Sequence, residues 1–490
     1  MNRTLGWVAP GLFLVGLLVY SQTLAFHWDE GFHLLAARAI AAGQRPYVDF
    51  CFPQAPLNAY WTSAWFRLFH PSWRLAQGLA ACETSLAVVL LAGYLRKRFP
   101  IPEWRAAAAI SAVSFFGLLL LTFDYGTIAQ AYGFCLAALL AAFRCTVAAR
   151  ERESSTIAFA AGLLAGIACC ASLLCVTAAP VLLVWLWLYS QPGARLRPAA
   201  AFAAGCAVAA IPVLRALAEA PREAWFNLAQ YHLFYRQTGW SGVAEHDFGI
   251  ATRWLLDTDA ILLAGFAVAG CLAARRGVWA VKARAEFRLC LWLAAGIAIQ
   301  NVCSHPTFPQ YFLLALPFLA VLAAAGFCAV VSHLPAGNRP SRAAGALACF
   351  LGLVLVRGMY GERGGHSWTG LEPVAEKVDR VTPSNAEILA PEAIYFLSGR
   401  SAPPGLEFQA SYEINLGVQA NARFHILPLS ELDRDIRAGR FATAAVCADD
   451  DQTTRIAGAN VYTEKFESGD CTVFWKIRAD RAQAVPERGR

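Results

Sequence analysis

The chain has 490 residues, of which 57% are hydrophobic and only 15% charged, a composition that excludes a soluble globular protein and points to a polytopic membrane protein. The formal net charge of +7 is not a nucleic-acid footprint. Residues 1–360 carry 26 basic against 15 acidic side chains and residues 361–490 carry 15 against 19, and the basic ones of the first part lie between hydrophobic runs, where they report membrane topology.

The first run, Leu5 to Leu24, is longer than a signal-peptide core and reads as an uncleaved signal-anchor. Directly behind it come two adjacent acids, Asp29 and Glu30. Residues 30–42 read as a helix, with Phe32, Leu35, Ala36, Ala39 and Ile40 on one apolar stripe. Gly43 fits its C-terminal cap and Pro46 blocks continuation. At about 100° per residue, Asp29 and His33 lie within about 40° of each other at the edge of that stripe. The expectation is an amphipathic helix lying on a membrane, with a carboxylate where apolar surface meets water. The same acid pair also suits an ordinary N-cap with a favourable dipole interaction.

Ten further hydrophobic runs follow, at roughly 75–95, 104–122, 126–146, 156–172, 174–190, 199–217, 259–274, 287–304, 311–332 and 343–360, for an all-α bundle of about eleven transmembrane helices. The fifth and sixth runs are nearly continuous and suggest a tight hairpin around Ala171 and Ser172. Alternate connections carry Arg96 and Arg98, Arg150 and Arg152, Arg195 and Arg197, Arg275 through Arg288, and Arg339 with Arg342; these are inside by the positive-inside rule. The opposite connections carry Asp29, Glu30, Asp49, Asp124, Glu219, Glu223, Glu245, Asp247, Asp257 and Asp259. Two large outer loops, 25–74 and 218–258, are rich in Trp, Tyr, Phe, His and Arg, as interfacial segments are. Glu83, about two turns inside the second run, reads as a paired structural carboxylate.

After residue 360 the composition changes. Residues 361–480 alternate helical patterns (371–381, 429–438) with short apolar strands (387–390, 444–447, 471–475), which suggests a small α/β domain. An odd number of spans puts it outside. Residues 481–490 read as a disordered end. Most of the 15 cysteines lie in apolar runs as small hydrophobes, and no Cys-x-x-Cys pair with zinc spacing occurs. Cys447 and Cys471 alone lie in the polar tail, and a disulfide between them follows if the tail faces an oxidising compartment. Five Lys against 36 Arg, with abundant Ala, suggests a GC-rich bacterial genome; the expected location of the multi-pass chain is the bacterial inner (plasma) membrane.

Several stretches, in this order and on one predicted face, resemble the GT-C superfamily of polytopic transferases that take sugars from polyprenyl-phosphate donors. They are the Asp29-Glu30 pair after the first span, then Gly43-x-x-Pro46-Tyr47-x-Asp49-Phe50, then Pro56-Leu57. Phe123-Asp124-Tyr125 looks like the second outer-loop acid of that group, and His305-Pro306 followed by Tyr311 through Pro317 like its late His-Pro … Tyr … Leu-Pro helix. Residues 393–400 with Pro403-Pro404 are similar to the outer domain of many bacterial members. The nearest branch is that of the protein mannosyltransferases, the lipid A aminoarabinose transferase and the lipopolysaccharide galacturonosyltransferases. One departure matters: some relatives carry Lys-Pro-Pro-Leu where this chain has Gln54-Ala55-Pro56-Leu57, so the phosphate-contacting lysine is absent.

The resemblance implies transfer to a lipid, glycan or protein acceptor of the cell envelope, on the outer face, by one inverting displacement. Such chemistry needs a base for the acceptor hydroxyl, charge on the departing phosphate and an apolar groove for the isoprenoid. Asp29 is the expected general base, with Glu30 or Asp124 sharing the proton or positioning the acceptor. For the phosphate and sugar the outer-face candidates are Arg38, Arg45, Arg236, Arg253, His232, His305, Tyr231 and Tyr311, together with Asp49 and Gln54. No cofactor is implied. No His/Cys/Asp cluster has metal-ligand spacing, and a divalent cation bridging phosphate and acids stays open. The rival reading, a transporter or flippase for a lipid-linked substrate, would show internal repeats and mid-membrane charges; here no repeat is visible and nearly all acids lie at the outer boundary.

Overall fold

The computed structural model describes residues 5–238, 240–276, 281–333, 340–448 and 450–478. The expected disordered end, 481–490, lies outside the described residues. Each of the eleven hydrophobic runs falls on helix. Leu5–Thr23, Trp73–Arg98, Tyr132–Arg152, Ser155–Ala171, Ala178–Tyr189, Thr258–Arg275, Val281–Val302, Leu316–Ser332 and Pro340–Gly361 are single helices, while Arg105–Gly117 with Leu120–Gly126 and Leu196–Ala209 with Ile211–Glu219 are pairs bent by 62° and 50°. Among the described residues, four helices are long and apolar enough to cross a membrane, or up to six if each bent pair is one span. The hairpin after the fifth run is present: Ser172 Oγ accepts a hydrogen bond from Leu174 N and turns the chain into the next helix.

The bundle packs closely through small residues. A Cβ on Gly162 would lie 1.9 Å from the Phe202 carbonyl oxygen, and one on Gly205 2.2 Å from that of Phe159. Gly270 and Gly326 repeat the arrangement, 2.1 Å from Leu322 O and 1.9 Å from Phe266 O. These four glycines let two helix pairs touch backbone to backbone. Glu83 accepts a hydrogen bond from Trp61 Nε1 at 2.7 Å, so it is paired.

The C-terminal residues build a four-stranded sheet in the order β1-β2-β4-β3, with β1 Ile388–Leu389, β2 Thr443–Cys447, β3 Tyr462–Ser468 and β4 Cys471–Ile477. β1 runs parallel to β2 and the other pairs are antiparallel. The sequence reading lacks β3, whose Tyr-Thr-Glu-Lys-Phe-Glu-Ser run is a charged edge strand with a weak apolar signal. Cys447 and Cys471 face each other across β2 and β4 and form a disulfide. Closing a loop of this length, it should contribute about 2–4 kcal/mol. Peptide mapping of unreduced protein should recover the two as one linked pair, and free thiols at both positions would refute the bond.

The helix Glu30–Ala41 departs from the expectation of a helix resting on a membrane. Its residues Phe32 to Ala37 are all buried, because both of its faces are covered by protein. Leu34, Leu35 and Ala37 share a core with Trp368, Leu371 and Ile394 of the C-terminal region. Phe32, Ala36 and Ile40 share another with Tyr47, Phe52, Phe226, Tyr231 and Phe408. That second core joins the segments 25–74 and 218–258 and the C-terminal region. The approach is tightest at Gly31, where a Cβ would lie 2.6 Å from Ala393 N.

Candidate active site

Asp29 occupies the N-cap position of the Glu30–Ala41 helix, yet its side chain makes no capping hydrogen bond. It is 57% exposed, and the His27 Nδ1 lies 3.7 Å from its Oδ2. The carboxylate opens into a cavity of about 300 Å³. Phe32, His33, Gln54, Tyr132, Ser172, Tyr231, Gln310, Tyr311 and Phe408 line it together with Arg236 and Trp240. Asp29 and His33 therefore share a face, as the helical spacing requires. Burial pushes His33 down to about 3, so the ring stays neutral and adds no cation.

Among the described residues that line this cavity, one guanidinium is present, that of Arg236. An Arg236 guanidinium nitrogen donates to the Tyr311 hydroxyl, and the guanidinium sits over the Phe308 and Tyr311 rings at 5.7 and 5.3 Å. Arg236 follows a π-helical segment, Phe226–Tyr235, a rare geometry that is frequent at functional sites. The same segment carries the fully buried Asn227, whose Oδ1 accepts from Phe52 N at 2.9 Å and whose Nδ2 donates to Glu223 O at 2.9 Å. This amide ties the segments 25–74 and 218–258 together and so holds Gln54, two residues beyond Phe52, at the cavity.

The structure brings together Asp29, Gln54, Tyr231, Arg236 and Tyr311; the other expected residues lie elsewhere. Glu30 is wholly buried and does not line the cavity. Its carboxylate accepts from Ala129 N (2.6 Å), Trp368 Nε1 (2.9 Å), Gln77 Nε2 (3.0 Å) and His27 N (3.3 Å). Burial pushes its pKa up to about 7 against the pull of these donors. It is a knot joining the first loop, the bundle and the C-terminal region. In Glu30→Gln an amide NH₂ would face donors, so we expect a loss of about 1–3 kcal/mol, read as a lower melting temperature; an unchanged melting temperature would remove the knot.

Asp49 accepts from Arg45 N at 2.7 Å and pairs with the Arg45 guanidinium, closing its own turn. Asp124 accepts a hydrogen bond from the Tyr20 hydroxyl and lines a second cavity, about 740 Å³, with Arg253, Asp257, Asp259 and Arg357. Tyr125 beside it touches His27 and Tyr132, the latter a wall of the Asp29 cavity. His305 Nδ1 is 2.6 Å from Asp247 Oδ2, while Asp247 Oδ1 accepts from Thr307 N at 2.7 Å. His305 thus staples the loop that delivers Pro306 and Phe308 to the cavity. His232 lies behind Tyr231, and burial followed by the Arg236 charge pushes it down to about 4. Arg38 donates to the carbonyls of Tyr395, Phe396 and Arg400 at the end of a C-terminal-region helix. Of the cationic candidates, only Arg236 reaches the Asp29 cavity.

Sequence reasoning misses Gln130, Tyr132, Gln310, Phe408 and Glu413, all of which line the cavity. Gln130 and Gln310 carry a signal in retrospect, each being a lone amide beside apolar residues. Phe408 and Glu413 carry none, because only the docking of the C-terminal region brings them there. An apolar cavity of about 520 Å³ is lined by Phe312, the residue after Tyr311 in the chain, and by the helices Thr258–Arg275, Val281–Val302 and Leu316–Ser332. Among the described residues no group of three or more His, Cys, Asp or Glu side chains is placed to hold a metal ion.

No protein-family model and no curated protein matches the chain. Solved structures do. ArnT from Cupriavidus metallidurans bound to undecaprenyl phosphate superposes with a TM-score of 0.64 at 17% identity, over 96% of this chain and 98% of that one. The apo state of the same protein gives 0.68 at 15% identity, over 99% and 100%. The apo oligosaccharyltransferase of Archaeoglobus fulgidus gives 0.54 at 13% identity, over 93% of this chain and 73% of that one. The chain has the fold these structures share, a polytopic membrane bundle with, in this chain, a small C-terminal sheet.

Proposed function

We propose that the protein is an integral-membrane glycosyltransferase that moves a sugar from a polyprenyl phosphate to a hydroxyl of a cell-envelope acceptor. The observation that carries this reading is one cavity holding an uncapped carboxylate, Asp29, and a single cation, Arg236, bonded to Tyr311. The acceptor hydroxyl gives its proton to Asp29 as its oxygen bonds to the anomeric carbon. The bond from that carbon to the phosphate oxygen breaks with inversion, and the phosphate leaves with the electron pair, held by Arg236 and Tyr311. The apolar cavity lined by Phe312, the residue after Tyr311 in the chain, suits the isoprenoid by its composition. The fold-sharing ArnT structure bound to undecaprenyl phosphate agrees with such a donor. Glu30 and Asp49 serve structure in this scheme, and Asp124 belongs to the neighbouring cavity.

The reading includes about eleven spans in a bacterial inner membrane, with the two outer loops and the C-terminal region facing outward. A cysteine placed at the exposed Ser241 should react with a membrane-impermeant label from outside; reaction only after permeabilisation would invert the topology. The activity is tested with purified protein, a panel of polyprenyl-phosphate sugars and envelope extracts as acceptor. Transfer with inverted anomeric configuration is expected. Absence of transfer from every donor would sink the assignment.

A further inference from the structure

Two amides lining the Asp29 cavity have atoms with nothing to bind. Gln130 is 7% exposed and Gln310 3%, and Gln130 Nε2 and Gln310 Oε1 have no hydrogen-bond partner among the described residues. Leaving a buried donor and a buried acceptor unpaired is costly, and such groups are rare unless a ligand or water completes them. Their surroundings select the ligand. Neutral amides do not compensate charge, so the phosphate belongs with Arg236. An isoprenoid would leave both amides unpaired. A hydroxyl both donates and accepts, so it satisfies an amide in either orientation of its oxygen and nitrogen.

We infer that Gln130 and Gln310 bind hydroxyl groups of the transferred sugar, and that they determine which sugar is accepted. This rests on the glycosyl-transfer reading above. Gln130 sits in the short connection before the helix Tyr132–Arg152, whose preceding residue Ala129 is bonded to Glu30. Gln310 sits one residue before Tyr311. Both amides are therefore carried by segments that also fix the acid-bearing helix or the phosphate-binding pair, which sets the sugar in register with both.

The test uses full-length Gln130→Leu and Gln310→Met protein. Without ligand each should melt at or above the wild-type temperature, because an unpaired buried group has been removed; a clear drop would show that the amides serve the fold, and would overturn the inference. Binding of sugar-free polyprenyl phosphate should be unchanged. With the preferred donor, kcat/KM should fall about tenfold or more. A donor lacking the hydroxyl in question should cost wild-type protein a similar factor and cost the matching variant little more. Equal losses in wild type and variant for every mono-deoxy donor would overturn the inference, as would full activity of both variants. Those results leave wild-type transfer intact, whereas no transfer by wild-type protein from any donor removes the glycosyl-transfer reading itself and this inference with it.

Discussion

Asp29→Asn should fold and insert normally, bind polyprenyl phosphate as wild type does, and transfer sugar at a rate lower by on the order of a hundredfold or more. An asparagine keeps the shape of the side chain but cannot take a proton from a hydroxyl at neutral pH. The structural cost should be small, about 0.5 kcal/mol from the helix dipole, because the Asp29 side chain makes no capping bond that could be lost. The decisive measurement is transfer beside donor binding on one sample. Near wild-type transfer would return Asp29 to a purely structural place at the helix start. A loss of binding along with transfer would mean that it holds the donor rather than activating the acceptor.

Arg236→Met should weaken polyprenyl phosphate binding by roughly ten- to a hundredfold, the range expected for removing a charge-assisted contact worth about 1.5–3 kcal/mol. The size follows from the isolation of this guanidinium. Lys is absent where some relatives carry it, Gln54 standing there instead, and Arg38, Arg45 and His305 are held by other partners. Nothing else in the cavity replaces the charge. Arg236→Lys should recover part of the affinity, since it keeps the charge but loses the planar fork and the stacking on Phe308. Tyr311→Phe should cost less, about two- to tenfold, because an uncharged donor is lost while the Arg236 charge stays in place. Unchanged phosphate binding by Arg236→Met, measured by calorimetry in detergent, would move the phosphate elsewhere.

How far the sequence leads is clearest at the two adjacent acids. Hydropathy alone located the eleven helical runs, because a membrane-spanning helix must be apolar along its whole length and that signal is local. Helical spacing likewise put Asp29 and His33 on one face, and the structure keeps them there. The bends after Gly117 and Ala209, the missed edge strand β3 and the reciprocal glycine contacts were not legible, since each depends on what packs against the segment. The same holds for the division of labour between Asp29 and Glu30. Consecutive helical residues point about 100° apart, so one of the pair had to face away from the other. Which one is enclosed is decided by Trp368, 338 residues further along the chain, together with Gln77 and Ala129. Composition and periodicity determine a helical membrane bundle followed by a small region of mixed helix and strand. Only the docking of the C-terminal region onto the Glu30–Ala41 helix leaves Asp29 open to the cavity, buries Glu30 and brings in Phe408 and Glu413, because burial is a property of contacts between distant segments that no local pattern encodes.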